Sequence, residues 1–195
     1  MKSIKELYRI GTGPSSSHTM GPRKAAEMFV ERHPDAASFK VTLYGSLAAT
    51  GKGHMTDVAI IDTLQPAAPV EIVWQPKVFL PFHPNGMTFA ALDANNKILE
   101  NWTVYSIGGG ALAENNDTSS IESPDVYGMN SMTEILEWCE RNGRSYWEYV
   151  KECEDSDIWD YLNEVWKTMI DSIHRGLEEE GVLPGPLNLR RKAST

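Results

Sequence analysis

The sequence predicts an α+β fold: a small mixed or antiparallel sheet of about four strands with helices packed on it, and a helical C-terminal extension. Three observations carry this expectation. Segments rich in β-branched and aromatic residues, several alternating apolar with polar types, lie between residues 38 and 107, and that pattern marks strands. Two of them are joined by Asn95-Asn96, a pair that tolerates positive φ and so makes an antiparallel hairpin. Apolar residues recur at helical spacing after residue 22 and again from Ser131 onward, which places helices on both sides of the strand region.

Taken in order, a short helix is expected around Ser3 to Tyr8, followed by the loop GTGPSSSHTMGP, residues 11 to 22. In PRKAAEMFVERH, Pro22 suits the first helical turn, and Ala25, Ala26, Phe29 and Val30 form one apolar face. Residues 38 to 46, SFKVTLYGS, read as a strand. SLAATGKGHMTDVAIIDTL is helix-like at both ends, but Gly51-Lys52-Gly53 breaks it into a bend that exposes His54. Further strands are expected at Val70 to Trp74, Met87 to Ala94 and Lys97 to Ile107, and a long loop at Gly108 to Asp125. Helices follow at 131 to 141, 145 to 154 and 157 to 179, with Trp138, Trp147, Trp159 and Trp166 as apolar anchors. The ending GVLPGPLNLRRKAST carries Gly and Pro to stop the last helix and reads as a linker. The division expected is a domain over residues 1 to 156, a helical extension over 157 to 180, and a linker over 181 to 195.

Bulk properties narrow the function. With 195 residues, 41% of them hydrophobic, the chain is large enough to bury a core. No apolar run approaches the roughly 20 residues that cross a bilayer, and MKSIKELYRI lacks a signal-peptide core, so a cytoplasmic protein without a membrane partner is expected. The formal charge of -9 argues against nucleic acid, which calls for a basic face. That surplus is concentrated: residues 131 to 180 hold 14 acidic residues against 5 basic. Two cysteines, Cys139 and Cys153, are too few for a disulfide framework or for a metal or cluster site within one chain.

Four stretches could carry chemistry. The first is the loop before Pro22: a helix N-terminus presents unpaired N–H groups and partial positive charge, and Ser15, Ser16, Ser17, His18 and Thr19 add donors around it, enough to wrap a carboxylate or phosphate. The alternative is a solvated linker with Thr19 capping the helix. The second is TGKGHMTD, residues 50 to 57, where a glycine-flanked histidine can serve as a general base at neutral pH; otherwise His54 is a structural hydrogen-bonder, with Asp57 to orient it. The third is FHPNGM, residues 82 to 87, in which Asn85 offers donor and acceptor to an amino-acid ligand or simply makes a turn. The fourth is SIGGG, residues 106 to 110, whose glycines permit close backbone approach.

Together, GPSSSHTMGP, YGSLAATGKGHMTD, HPNGM and YSIGGG, in this order, resemble the β domain of the bacterial iron–sulfur L-serine dehydratases. The likeness extends to VWKTMIDSIHRGLEEEGVLPGPLNLRRKA, similar to the segment that joins this β domain to the catalytic α domain in single-chain members. The resemblance implies deamination of L-serine to pyruvate and ammonia with a four-iron four-sulfur cluster rather than pyridoxal phosphate. It places the cluster's cysteines on the α domain, outside this chain, so the chain is expected to be inactive alone. It also implies that an open iron site acts as a Lewis acid on the serine hydroxyl while a base takes the α-proton. By resemblance His54 is that base, and Ser15, Ser16, Ser17, His18, Thr19 and Asn85 hold the substrate. Met55 stands where most members have a small residue. The partners implied are the α domain and L-serine, and a homodimer is compatible with the reading. The fold is further similar to the allosteric substrate-binding domain of some phosphoglycerate dehydrogenases, which supplies the competing expectation: a regulatory anion-binding and assembly module with no catalytic group of its own.

Overall fold

The computed structural model describes residues 1–114, 124–182 and 190–192. The chain forms two compact units, one of Gly11–Glu122 with Val182–Arg190, the other of Met1–Ile10, Ser123–Gly181 and Arg191–Thr195.

In the first unit, helix α1 (Gly21–Arg32) precedes strand β1 (Ser38–Tyr44), then helices α2 (Gly45–Thr50) and α3 (Thr56–Leu64), and strands β2 (Val70–Gln75), β3 (Gly86–Leu92), β4 (Ile98–Gly108) and β5 (Ala111–Glu114). The sheet order is β2-β1-β3-β4-β5. β1 and β2 are parallel and the other pairs antiparallel, because the α2–α3 crossover returns the chain to the end at which β1 began. Alternation along β1 buries Phe39, Val41 and Leu43 and turns Lys40 outward. These three side chains join Phe29, Leu47, Ile60, Leu64, Phe89 and Val104 in one core, with α1 and α3 packed against each other.

The expected mixed sheet is present with five strands rather than about four. The added strand, β5, lies inside the expected Gly108 to Asp125 loop; residues 115–123 of that loop lie outside the described residues. Gly108, Gly109 and Gly110 all take positive φ, 107°, 58° and 75°, and turn β4 back on itself within three residues. ALAE carries no β-branched residue, so its strand state comes from pairing with Tyr105 and Ser106 rather than from its own propensity. The β3–β4 hairpin turns at Asn96, φ 60°, with the Asp93 carboxylate accepting the Asn95 and Lys97 amides.

In the second unit, α4 (Met132–Asn142) and α5 (Tyr146–Cys153) each begin with a capping box, Ser131 with Glu134 and Ser145 with Glu148. Helix α6 (Ile158–Glu178) follows. Past it, short strands β6 (Glu180–Val182) and β7 (Arg190–Lys192) are divided between the two units, and all but Glu180 of them falls in the expected linker. Tyr127, Ile135, Cys139 and Tyr149 form this unit's core. The buried Glu154 carboxylate accepts Ser3 Oγ at 2.6 Å, the Ile4 amide at 2.8 Å and Tyr127 OH at 2.6 Å. The tryptophans expected as anchors divide: Trp138 packs on the core, whereas Trp147, Trp159 and Trp166 are 57%, 42% and 59% exposed.

Candidate functional site

Ser15 is extended, and its hydroxyl accepts the His18 amide at 3.2 Å. From there the backbone winds more widely than an α-helix. The Met20 amide bonds the Ser15 carbonyl, and that of Gly21 bonds Ser16, five residues back in each case, a π-type turn of the kind often found at functional sites. This wide turn opens α1 and carries His18 out toward α2.

His18 is half-buried. Its Nδ1 lies 2.9 Å from Ser17 Oγ and its Nε2 3.2 Å from Ser46 Oγ in the first turn of α2. Its ring centroid is 4.8 Å from that of His54, the planes inclined by 38°. Burial, and then the nearby charge of His54, push the His18 ring below the ordinary value of 6.5, with the bond to Ser46 opposing them. His54 sits in the bend between α2 and α3, its Nδ1 3.0 Å from the Thr50 carbonyl. A carbonyl only accepts, so Nδ1 carries the hydrogen and the neutral ring keeps its lone pair on Nε2.

Two buried threonines hold the histidines in place. Thr19 Oγ1 donates to the His54 carbonyl at 2.7 Å, and Thr56 Oγ1 donates to the His18 carbonyl at 2.5 Å. Each hydroxyl neighbours one histidine and grips the backbone of the other, and both residues are at most 3% exposed. Thr19 also accepts the Ser15 amide at 3.2 Å. Its hydroxyl is thus engaged on both sides within the fold and is not a donor open to solvent; the helix-capping bond at this turn comes from Ser15.

The loop before β3 completes the surroundings. The Ser46 amide donates to the Pro84 carbonyl at 3.0 Å, and the Asn85 amide to His83 Nδ1 at 3.2 Å. Burial lowers the pKa of His83. Asn85 is 9% exposed; its Nδ2 donates to the Ser106 carbonyl at 3.3 Å, and its own carbonyl accepts the Ser106 amide at 3.0 Å. Of the expected site residues, Ser15, Ser17, His18, Thr19 and His54 are linked by these hydrogen bonds and the ring contact. Ser16 is exposed on the wide turn, and Asn85 is tied to the end of β4 instead. Ser46, Thr56 and Ser106 are given no role of their own by the sequence, although Ser46 and Thr56 stand within YGSLAATGKGHMTD and Ser106 opens SIGGG.

Among the described residues no three His, Cys, Asp or Glu side chains stand together as metal ligands. Cys139 and Cys153 lie with the aromatic core of the helical unit. These residues do not fit an iron–sulfur cluster.

The serine dehydratase beta chain family matches residues 3–72 and 64–117, a span containing every residue of this site. The chain belongs to that family. L-serine dehydratase of Haemophilus influenzae is 33% identical across the whole chain, and L-serine dehydratase TdcG of Escherichia coli K12 is 33% identical over 99% of it. That of Streptomyces coelicolor is 31% identical over 98%. In each case the chain spans 53% of the relative's length, so this serine dehydratase beta chain corresponds to about half of the curated proteins it matches.

Proposed function

We propose that this chain is the β portion of an L-serine ammonia-lyase, in which His54 removes the α-proton of L-serine and the wide turn before α1 holds the substrate carboxylate. The observation that carries the reading is the ring pair: His54, with its lone pair fixed on Nε2, lies 4.8 Å from His18 at the mouth of a helix. Nε2 accepts the α-proton, the Cβ–O bond breaks, and the departing hydroxide takes that proton back from His54 to leave as water; the aminoacrylate formed tautomerises to its imine, which water hydrolyses to pyruvate and ammonia. Ser16, Ser17 and His18 supply donors to the carboxylate, while Ser15, Thr19 and Thr56 hold those groups and His54 in register, an orientation effect that can amount to several kcal/mol. Asn85, in this reading, faces the substrate through the part of its amide not bonded to Ser106.

Any four-iron four-sulfur cluster belongs, in this proposal, to a catalytic α domain corresponding to the half of the relatives that this chain does not span, and none of the roles assigned to the residues of this chain passes through it. The chain alone is accordingly inactive. An exposed apolar stripe on α6 supports a partner of that kind: Trp159, Trp166, Met169, Ile173 and Leu177 are all more than 40% exposed, and Trp147, Trp159 and Trp166 help line an open groove of about 370 Å³ within the helical unit.

The test has two arms. Purified residues 1 to 195 should make no pyruvate from L-serine, and pyruvate formation by them would overturn the two-domain reading. In the complete enzyme His54→Ala should lower kcat roughly 100-fold or more, as expected for loss of a general base. Activity within about threefold of wild type, as a general threshold for a dispensable group, would remove His54 from that role.

A further inference from the structure

Gly21, the first residue of α1, has φ -59° and ψ -53°, helical values that a residue bearing a Cβ is discouraged from adopting before a proline, here Pro22. Part of the reason for a glycine therefore lies in the backbone, although glycine is a poor helix residue. The rest lies in space. A Cβ added at Gly21 would stand 2.3 Å from Ser106 Oγ and 3.0 Å from Ser106 Cβ. Ser106 is fully buried near the end of β4, and its hydroxyl has no hydrogen-bond partner among the described residues. Its backbone is fixed from the other side, the amide bonded to the Asn85 carbonyl and the carbonyl to Asn85 Nδ2.

We infer that the Gly21–Ser106 contact is the seat that sets how deeply the wide turn lies on the sheet, and hence where His18 meets His54; Ser106 is a positioning residue for the pair. The Gly21 amide closes the turn onto the Ser16 carbonyl, and the turn packs on β4. The unpartnered Ser106 hydroxyl can turn aside, but its Cβ, 3.0 Å from the added atom, cannot, because Asn85 grips both backbone groups of Ser106. Adding a methyl at Gly21 therefore lifts the turn, and His18 rides out with it. Ser106 is fully buried, so it acts only through the height of this turn. The consequence for chemistry rests on the proposal that the two histidines share the working cavity, but the geometry itself does not.

The experiment is a set of ring titrations by NMR on the chain in wild type, Gly21→Ala, Ser106→Gly and the double variant, with the His18–His54 nuclear Overhauser contact recorded in each. In Gly21→Ala, His18 loses burial and moves away from His54, so its midpoint should rise toward 6.5 and the ring contact should weaken. In the double variant the space vacated by Ser106 admits the alanine, and both readouts should return to wild type. A purely structural role would change stability without moving the His18 midpoint. A folded Gly21→Ala with wild-type titration and ring contact overturns the inference, as does a folded double variant that fails to restore them. Should Gly21→Ala not fold, Ser106→Thr, which presses on Gly21 from the opposite side, should raise the midpoint in the same direction, and an unchanged midpoint there is equally fatal. None of these readouts needs turnover, so their failure is distinct from that of the proposed reaction.

Discussion

Removing the Thr56 hydroxyl tests the clasp that brings the two histidines together. Thr56→Val keeps the shape of a fully buried side chain and deletes only the 2.5 Å bond to the His18 carbonyl. A carbonyl that loses its donor inside the fold costs about 1–3 kcal/mol, a large part of the roughly 5–15 kcal/mol by which a domain is stable. Thr19→Val deletes the reciprocal bond to the His54 carbonyl and also the acceptor of the Ser15 amide, so its cost should be equal or greater. The two hydroxyls hold the same pair of segments together. Once one is gone the second has less to hold, and the double variant should lose less than the two singles added, by at least about 0.5 kcal/mol. Amide exchange of the buried strands β1 and β3 reads the stability of the sheet unit directly. A Thr56→Val protein with protection within about 0.5 kcal/mol of wild type, or strict additivity in the double variant, would refute the clasp.

Met55 holds φ 56° just before α3, a conformation that costs an L-residue roughly 1–2 kcal/mol. Met55→Gly should therefore leave the sheet unit unchanged or up to about 1 kcal/mol more stable despite the looser unfolded chain; a loss in urea denaturation contradicts this. His18 and His83 both sit below the ordinary 6.5 in the folded state, so below that pH the unfolded chain binds more protons. Stability is full above about 6.5 and falls as pH drops through the folded values. The urea midpoint of the sheet unit should be lower at pH 5.5 than at 7.5, and His18→Gln should flatten part of that slope. In the helical unit, burial opposes ionisation of Glu154, but bonds from Ser3, Tyr127 and Ile4 outweigh it and hold the carboxyl below its ordinary value. Glu154→Ala leaves those donors without their acceptor and should cost roughly 3 kcal/mol, read from amide exchange in α5; a loss under about 1 kcal/mol would mean that water replaces the carboxylate.

The sheet and helices were legible where local signals agree with tertiary demand. The alternation of β1, the Asn95-Asn96 turn and the apolar spacing from Ser131 onward each specify an element within a few residues. β5 was not legible, because Ala-Leu-Ala-Glu has the composition of a helix and becomes a strand only by pairing with β4. At the site, the donor-rich loop and the glycine-flanked histidine stood out by residue type. What joins them did not: Thr56 bonds a residue 38 positions away and His18 reaches Ser46 across 28, and no periodicity announces such contacts. Gly21 and Ser106 are harder still, since their relation is one of excluded space. Exposure of the α6 tryptophans was missed for the opposite reason, because apolar periodicity signals a face that needs covering without saying whether this chain covers it.

The closeness of the two rings has an electrostatic consequence that bears on how such a site would work. Two unit charges at the 4.8 Å centroid separation repel by about 1 kcal/mol in water and about 3 kcal/mol at the effective dielectric of a partly buried site. A proton taken up by His54 is therefore opposed when His18 is charged, and the burial that disfavours the charged form of His18 weakens that opposition. Both ring nitrogens of His18 lie against serine hydroxyls, those of Ser17 and Ser46, so in the proposed reading a neutral His18 orients those hydroxyls without competing for the proton that His54 accepts. On that reading the wide turn does more than grip a substrate. By bringing His18 against α2 with its ring half-buried, it disfavours charge on one imidazole so that its neighbour can act as a base, and the two Thr-to-carbonyl bonds keep that separation fixed.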